Sequence, residues 1–176
     1  KLLGSAALAA VGSTGSISFL VIGFCMGICN GFAIPVAQRI GAGEPSKMRR
    51  YVANAAYLGA GIAVVLTAAT GLLCRTILTA MQTPEEIFAD AYSYIFVIFM
   101  GIPASILYNL LAAIMRSLGD SKTPVYFLAL ASILNIGLDF AFILLFRAGV
   151  AGAAIATVLS QALSGLACLA FMVRRF

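Results

Sequence analysis

The sequence is constrained most by long apolar runs that contain no charged side chain. The longest extends from about Ala6 to Gln38 and is densest between Ile17 and Ala37. An apolar helix of about 20 residues is long enough to cross a bilayer. Only 10% of the residues are charged, against about 25% in an average soluble domain. The sequence therefore predicts an all-α integral membrane protein.

Five membrane-spanning helices follow from the apolar runs and from the turn signals between them. Their predicted extents are about residues 6–38, 47–79, 83–118, 122–146 and 150–173. A tight turn at Arg147-Ala148-Gly149 joins the last two. At the start of the third, Thr83 and Glu86 have the spacing of a capping box.

Glycine and proline positions predict how these helices pack and bend. Gly23, Gly27 and Gly31 form a GxxxGxxxG stripe, a pattern that favours close approach of another helix. Pro35 and Pro103 lie inside the first and third helices. Because proline removes a backbone donor, we expect a kink near each.

Asp139 is the only acidic residue within an apolar run. A carboxylate in hydrocarbon is costly unless it is paired or neutralised, so a functional role is the default expectation. Asn135 lies one helical turn earlier, which places its amide on the same face as the carboxylate.

Thr157 is expected at the depth of Asp139. Thr157 follows Gly149 by eight residues, and Asp139 precedes Arg147 by eight. With a rise of about 1.5 Å per residue, both lie roughly 12 Å below the same membrane surface. Carboxylate, amide and hydroxyl oxygens at one depth predict a site for a cation or a proton.

Several functional classes are disfavoured by residues that the sequence lacks. There is no histidine, which removes the commonest transition-metal ligand and general base. The four cysteines fall in apolar runs and are expected to be buried as small hydrophobic residues. The basic residues lie at helix ends rather than in one patch, which argues against nucleic-acid binding. We therefore expect neither an enzyme nor a cofactor.

Charge asymmetry between the loops predicts the orientation. One side collects eight basic residues, namely Arg39, Lys47, Arg49, Arg50, Arg116, Lys122, Arg174 and Arg175. The other has Lys1, Arg75 and Arg147 together with Glu85, Glu86 and Asp90. By the positive-inside rule the first side is cytoplasmic, so the N-terminus is outside and the C-terminus inside. An outside start without a signal peptide suggests a natural unit of six helices, with one upstream of this chain.

Four segments resemble multidrug and toxic compound extrusion (MATE) transporters in order and spacing. They are VAQRIGAGEPSKMRRY (36–51), IMRSLGDSKTPVYF (114–127), ILNIGLDF (133–140) and GVAGAAIATVLSQ (149–161). The resemblance covers essentially residues 1–176, which it identifies as one partial MatE-type transmembrane domain. Twelve helices in that family form two six-helix lobes around a central cleft. This chain resembles helices two to six of the N-terminal lobe, without the first helix and the C-terminal lobe.

The resemblance implies an antiporter in the plasma membrane, in particular a bacterial inner membrane. It would export organic, often cationic, drugs in exchange for Na⁺ or H⁺. In prokaryotic members the coupling cation is bound by an Asn and an Asp on the fifth helix and by a Thr on the sixth. These three residues correspond to Asn135, Asp139 and Thr157 of this chain. A first-helix Asp that completes that site lies outside this chain. An amide that some members carry on the fourth helix is replaced near Ala112 by an apolar residue.

Gln161, Ser164 and Asn109 are candidates to line the cleft or to hydrogen-bond between helices.

Two other functions remain open at this point. A flippase of lipid-linked oligosaccharides from the same broader superfamily would share the topology, but it would be expected to carry more cationic residues in its cleft. A membrane subunit that only packs or assembles is the other alternative.

The orientation can be tested by cysteine labelling from either side of the membrane. Single cysteines at positions 46 and 121, replacing Ser46 and Ser121, should react with an impermeant reagent from the cytoplasm only. A cysteine in place of Thr83 should react from outside only. The reverse pattern would contradict both the orientation and the inferred upstream helix.

Overall fold

The chain folds into a bundle of helices. The computed structural model describes residues 4–145 and 148–175, and those residues contain no strand. The elements are α1 (Gly4–Gly41), α2 (Pro45–Ala80), α3 (Glu85–Met100), α4 (Ile102–Ser117), α5 (Lys122–Phe140), a π-helical turn (Ala141–Leu145) and α6 (Gly149–Arg175).

The prediction of five membrane-spanning helices is confirmed, with one span bent. Four helical segments in the described residues are long and apolar enough to cross a bilayer: α1, α2, α5 with the following π-helical turn, and α6. Helices α3 and α4 qualify together as a fifth span, with a bend of 44° between them. All backbone polar groups in hydrocarbon need partners, and helices supply these within one segment.

The bend in the third span lies at Gly101, close to the predicted kink at Pro103. Pro103 is in the first turn of α4, where its missing N–H is tolerated. Gly101 faces α6, and a Cβ atom there would overlap with the Val158 side chain. The bent span therefore depends on a close contact with another helix as well as on proline. At Pro35, in contrast, α1 continues as one helix.

Helix α4 lies at the centre of the bundle and packs against α1, α2 and α6. Its residues 110–115 are all buried, as expected for a helix with neighbours on every side. The main hydrophobic cluster includes Cys25 and Cys29 from α1, Leu78 from α2 and Phe99 from α3. All four cysteines of the chain are buried and free, as the sequence predicted.

The predicted packing of the glycine stripe is wrong within the described residues. A Cβ atom added at Gly23, Gly27 or Gly31 would meet nothing within 4 Å. The packed face of α1 instead carries Cys25 and Cys29. The glycine spacing identifies a face of α1 without side chains, but it does not say which helix, if any, packs against that face.

The predicted capping box at the start of α3 is also wrong. The helix begins after Pro84, and no side chain caps it. The Thr83 hydroxyl is buried without a hydrogen-bond partner in the described residues. Proline at the N-cap holds an extended backbone, with φ −57° and ψ 141°, and moves Thr83 one residue too far from the helix.

The turns at the two ends of α5 are stabilised differently. Asp120 accepts hydrogen bonds from the Thr123 N–H (3.0 Å) and hydroxyl (2.7 Å) and pairs with Arg175 at 2.9 Å. The Thr123 bonds, helped by the Arg175 charge, hold the pKa of Asp120 below its usual value.

At the other end of α5, Gly149 has a left-handed φ of 60°, which fits the predicted turn. Arg147, also part of that predicted turn, lies outside the described residues.

The Gly101–Val158 contact gives a test of the bundle. We expect Gly101→Ala to lower the thermal unfolding midpoint of the purified protein, because overpacking costs about 1–3 kcal/mol. Gly61→Ala is the matched control, since a Cβ atom there meets nothing within 4 Å. Adding Val158→Ala to Gly101→Ala should recover part of the loss. Equal midpoints for the two glycine variants would contradict the close contact.

Candidate functional site

Asn135 on α5 and Thr157 on α6 meet across the helix pair. The Asn135 Nδ2 donates to Thr157 Oγ1 at 3.3 Å. The Thr157 hydroxyl in turn donates to the Ala153 carbonyl oxygen at 3.0 Å, one turn earlier in α6. Because the hydroxyl proton is used within α6, the oxygen lone pairs of Thr157 remain available to accept from Asn135 or to contact a cation.

Asp139 lies on the same helix, one turn beyond Asn135, and is half-buried. Its Oδ1 atom is buried and has no hydrogen-bond partner among the described residues. A buried carboxylate oxygen without a partner is costly. Asp139 follows Asn135 by four residues, which separates the two by about 6 Å along the helix axis. The structure thus brings Asn135 and Thr157 into contact and leaves the carboxylate beside them, without a direct bond.

Local backbone geometry changes immediately after Asp139. The π-helical turn Ala141–Leu145 follows Phe140, and such turns occur frequently at functional sites. Tyr94 of α3 is close enough to Asp139 for the two side chains to interact electrostatically. The sequence analysis missed Tyr94, because nothing in the pattern of α3 indicates which of its aromatic residues lies nearest Asp139.

A small polar cavity of about 160 Å³ lies between α4, α5 and α6. It is large enough for several water molecules. Asn135 and Thr157 line it together with Tyr108, Leu128, Ala131, Ser132, Ser160 and Gln161. Apart from Leu128 and Ala131, each of these residues brings a hydroxyl or an amide, so the cavity offers neutral oxygen atoms at its wall.

The three predicted cleft-lining candidates have different positions. Gln161 lines the cavity, and its Oε1 accepts a hydrogen bond from the Ser105 hydroxyl, which ties α6 to α4. Ser164 is fully buried, does not line the cavity, and its hydroxyl has no partner among the described residues. Asn109 is half-buried and donates to the Ser105 carbonyl oxygen within α4 at 2.8 Å.

Three further polar residues of the cavity were missed in the sequence. Ser132 precedes Asn135 by three residues and Ser160 follows Thr157 by three, so helical spacing could have placed both on the relevant faces. Tyr108 comes from α4, and its hydroxyl donates to the Pro124 carbonyl oxygen at 2.9 Å. Nothing in the local sequence signals that contact, because it depends on how α4 packs against α5.

Comparison with known proteins gives consistent relatives. The MatE family model matches residues 1–141. The probable multidrug resistance protein YpnP of Bacillus subtilis is 35% identical over 174 residues, which cover 99% of this chain and 39% of that protein. The chain therefore spans about two fifths of the length of this curated relative.

Solved structures agree in fold. One is the outward-facing conformation of a multidrug resistance MATE family transporter of the MOP superfamily. Its TM-score is 0.91 and its sequence identity 28%, and the match covers 97% of this chain and 38% of that one. An inward-facing conformation matches with the same TM-score and identity over 96% of this chain and 38% of that one. Because the family model matches well over half of the residues, the chain belongs to the MATE family of multi-pass membrane proteins.

Proposed function

We propose that this chain is part of a cation-coupled antiporter that exports small organic, often cationic, compounds. Asp139, Asn135 and Thr157 form its cation- or proton-binding group. The observation that carries the proposal is the Asp139 carboxylate oxygen, buried without a partner one turn from the Asn135–Thr157 contact. Family membership supports a transporter rather than an enzyme.

The chemistry of the group suits either of two coupling ions. Carboxylate, amide and hydroxyl oxygens are ligands for a hard cation such as Na⁺. The carboxyl group of Asp139 could instead bind and release a proton. In both cases the ion neutralises a carboxylate that is costly in hydrocarbon. The proposed coupling mechanism requires no cofactor.

Ion binding can act on transport by favouring one of two arrangements of the helices. A ligand shifts such an equilibrium only if it binds the two arrangements with different affinity. The bend at Gly101 and the π-helical turn after Asp139 are two places where the spans depart from a straight α-helix. The similar structures in inward-facing and outward-facing conformations support two such arrangements.

The polar cavity between α4, α5 and α6 favours this function over a flippase of lipid-linked oligosaccharides. None of the described residues that line it is Lys or Arg. A cationic wall would be expected if a diphosphate-linked saccharide were bound there. We further propose that the N-terminus of the chain lies outside a plasma membrane and its C-terminus in the cytoplasm, in line with the charge of its loops.

The ion site is tested by transport in vesicles with an imposed Na⁺ or H⁺ gradient. In the full-length protein, Asp139→Asn should abolish gradient-driven export of a fluorescent organic cation, because an amide neither carries the charge nor exchanges the proton. Asn135→Ala and Thr157→Ala should reduce coupling by about threefold to tenfold, as expected for the loss of one neutral contact.

Asn54→Ala and Thr70→Ala are the matched controls. Asn54 is exposed on α2, Thr70 makes the same kind of one-turn hydrogen bond as Thr157, and neither lines the polar cavity. Both should export at normal rates. Normal export by a folded Asp139→Asn protein would rule out Asp139 as the coupling residue.

A further inference from the structure

An apolar groove runs along α2 and has α4 as its floor. Its volume is about 530 Å³, and every residue that lines it in the described part of the chain is apolar. Small residues of α2, namely Ala56, Gly59 and Ala60, make the groove deep. The far wall is formed by α6 through Leu169 and Met172.

A second cavity of about 530 Å³ continues this groove to the start of α2. The two are adjacent because Val52, Ile114 and Met172 line both. Arg49 is the one charged residue among the described residues that line the second cavity. The continuous groove therefore has an apolar body and a cationic mouth.

The charge of Arg49 is not balanced within the described residues. Glu44, the acidic residue in the same turn region, is bound by Arg39 at 2.9 Å and by Lys47 at 2.7 Å. The Lys47 and Arg39 contacts hold the pKa of Glu44 below its usual value, so it stays ionised and paired. Across the described ranges, the ion pairs of Glu44 and Asp120 do not include Arg49.

The length of the groove fits one leaflet of a bilayer. From Val52 to Val64 the groove follows α2 for 12 residues, or about 18 Å at 1.5 Å per residue. Half of the hydrocarbon core of a bilayer is about 15 Å thick. Arg49 lies one turn outside Val52, at the level where the head group of a lipid in that leaflet would be.

The charge at the mouth of the groove favours a phospholipid as its occupant. The described lining residues are apolar except for Arg49, so the occupant should have an apolar body and an anion at the end nearest Arg49. A phospholipid carries its phosphate at the end where its acyl chains begin.

We propose that this groove binds one anionic phospholipid. Its acyl chain lies along Ala56, Gly59 and Ala60 of α2 over α4, and its phosphate contacts the Arg49 guanidinium. Basic residues at the ends of membrane-spanning helices bind anionic head groups elsewhere, and arginine suits phosphate because its planar group donates two parallel hydrogen bonds. The site is separate from Asp139 and does not depend on the proposed transport function.

The test is lipid retention by the full-length protein, purified in detergent, stripped of lipid and measured by native mass spectrometry. Palmitoyl-oleoyl phosphatidylglycerol and phosphatidylcholine are added in equal amounts. The unmodified protein should retain one phosphatidylglycerol with about fivefold preference, as expected for one arginine near an anionic group. Arg49→Gln should remove the preference, while Arg50→Gln should keep it. Arg50 is the matched control because it is also exposed but does not line either cavity.

A second pair of variants tests the acyl-chain groove. Ala60→Phe should fill it and lower retention of both lipids several-fold. Ala68→Phe should not, since Ala68 is exposed on α2 outside the groove. If Ala60→Phe does not fold, the two arginine variants decide the question alone, because both side chains are exposed.

Three results would overturn the proposal. Equal effects of Arg49→Gln and Arg50→Gln would mean that only the general surface charge matters. Normal retention by a folded Ala60→Phe protein would place the lipid elsewhere. Displacement of the lipid by glycerol phosphate, at the concentration at which phosphatidylglycerol binds, would identify a site for soluble anions that needs no acyl chain.

Discussion

The structure depends on one constraint, which is that polar groups in hydrocarbon must find partners inside the protein. The backbone meets this constraint by forming helices throughout the described spans. Some side-chain hydroxyls meet it locally, as Thr70 and Thr157 do by donating to carbonyl oxygens one turn earlier. The Oδ1 atom of Asp139 does not meet it in the described residues, and neither do the hydroxyls of Thr67 and Ser164. Asp139 is the one acidic group among these, and a buried carboxylate is far more costly than a hydroxyl, which is the physical reason for proposing an ion-binding group there.

The surroundings of Asp139 combine rigid and adaptable parts. Helices α4 and α6 are tied by the Ser105–Gln161 hydrogen bond and by the close contact of Gly101 with Val158. Helix α5, in contrast, buries only Pro124 and Ala131 within the described bundle, and it ends in a π-helical turn. We propose that a carboxylate on this less packed helix, one turn from the Asn135–Thr157 contact, binds an ion that changes how α5 and α6 associate.

The sequence predicted those features that depend on local periodicity and depth. Five spans followed from apolar length. Counting residues outward to the turn placed Thr157 level with Asp139, whereas in the structure Thr157 contacts Asn135, one helical turn before Asp139. The sequence did not predict features that require knowing which helices are neighbours. The break at Gly101 depends on Val158, and Tyr108 enters the cavity only because α4 packs against α5. Within the described residues no helix covers the glycine stripe of α1, and the predicted Thr83 capping box does not form, because in each case a local pattern was interpreted without its surroundings.

The central claim is that the Asp139 carboxylate itself changes state when the coupling ion binds. Infrared difference spectroscopy measures this directly on the purified full-length protein, as Na⁺ is added or as the pH is lowered. The account predicts a change in carboxyl absorbance that is lost in Asp139→Asn and retained in Asn54→Ala. An identical spectral change in a folded Asp139→Asn protein would contradict it.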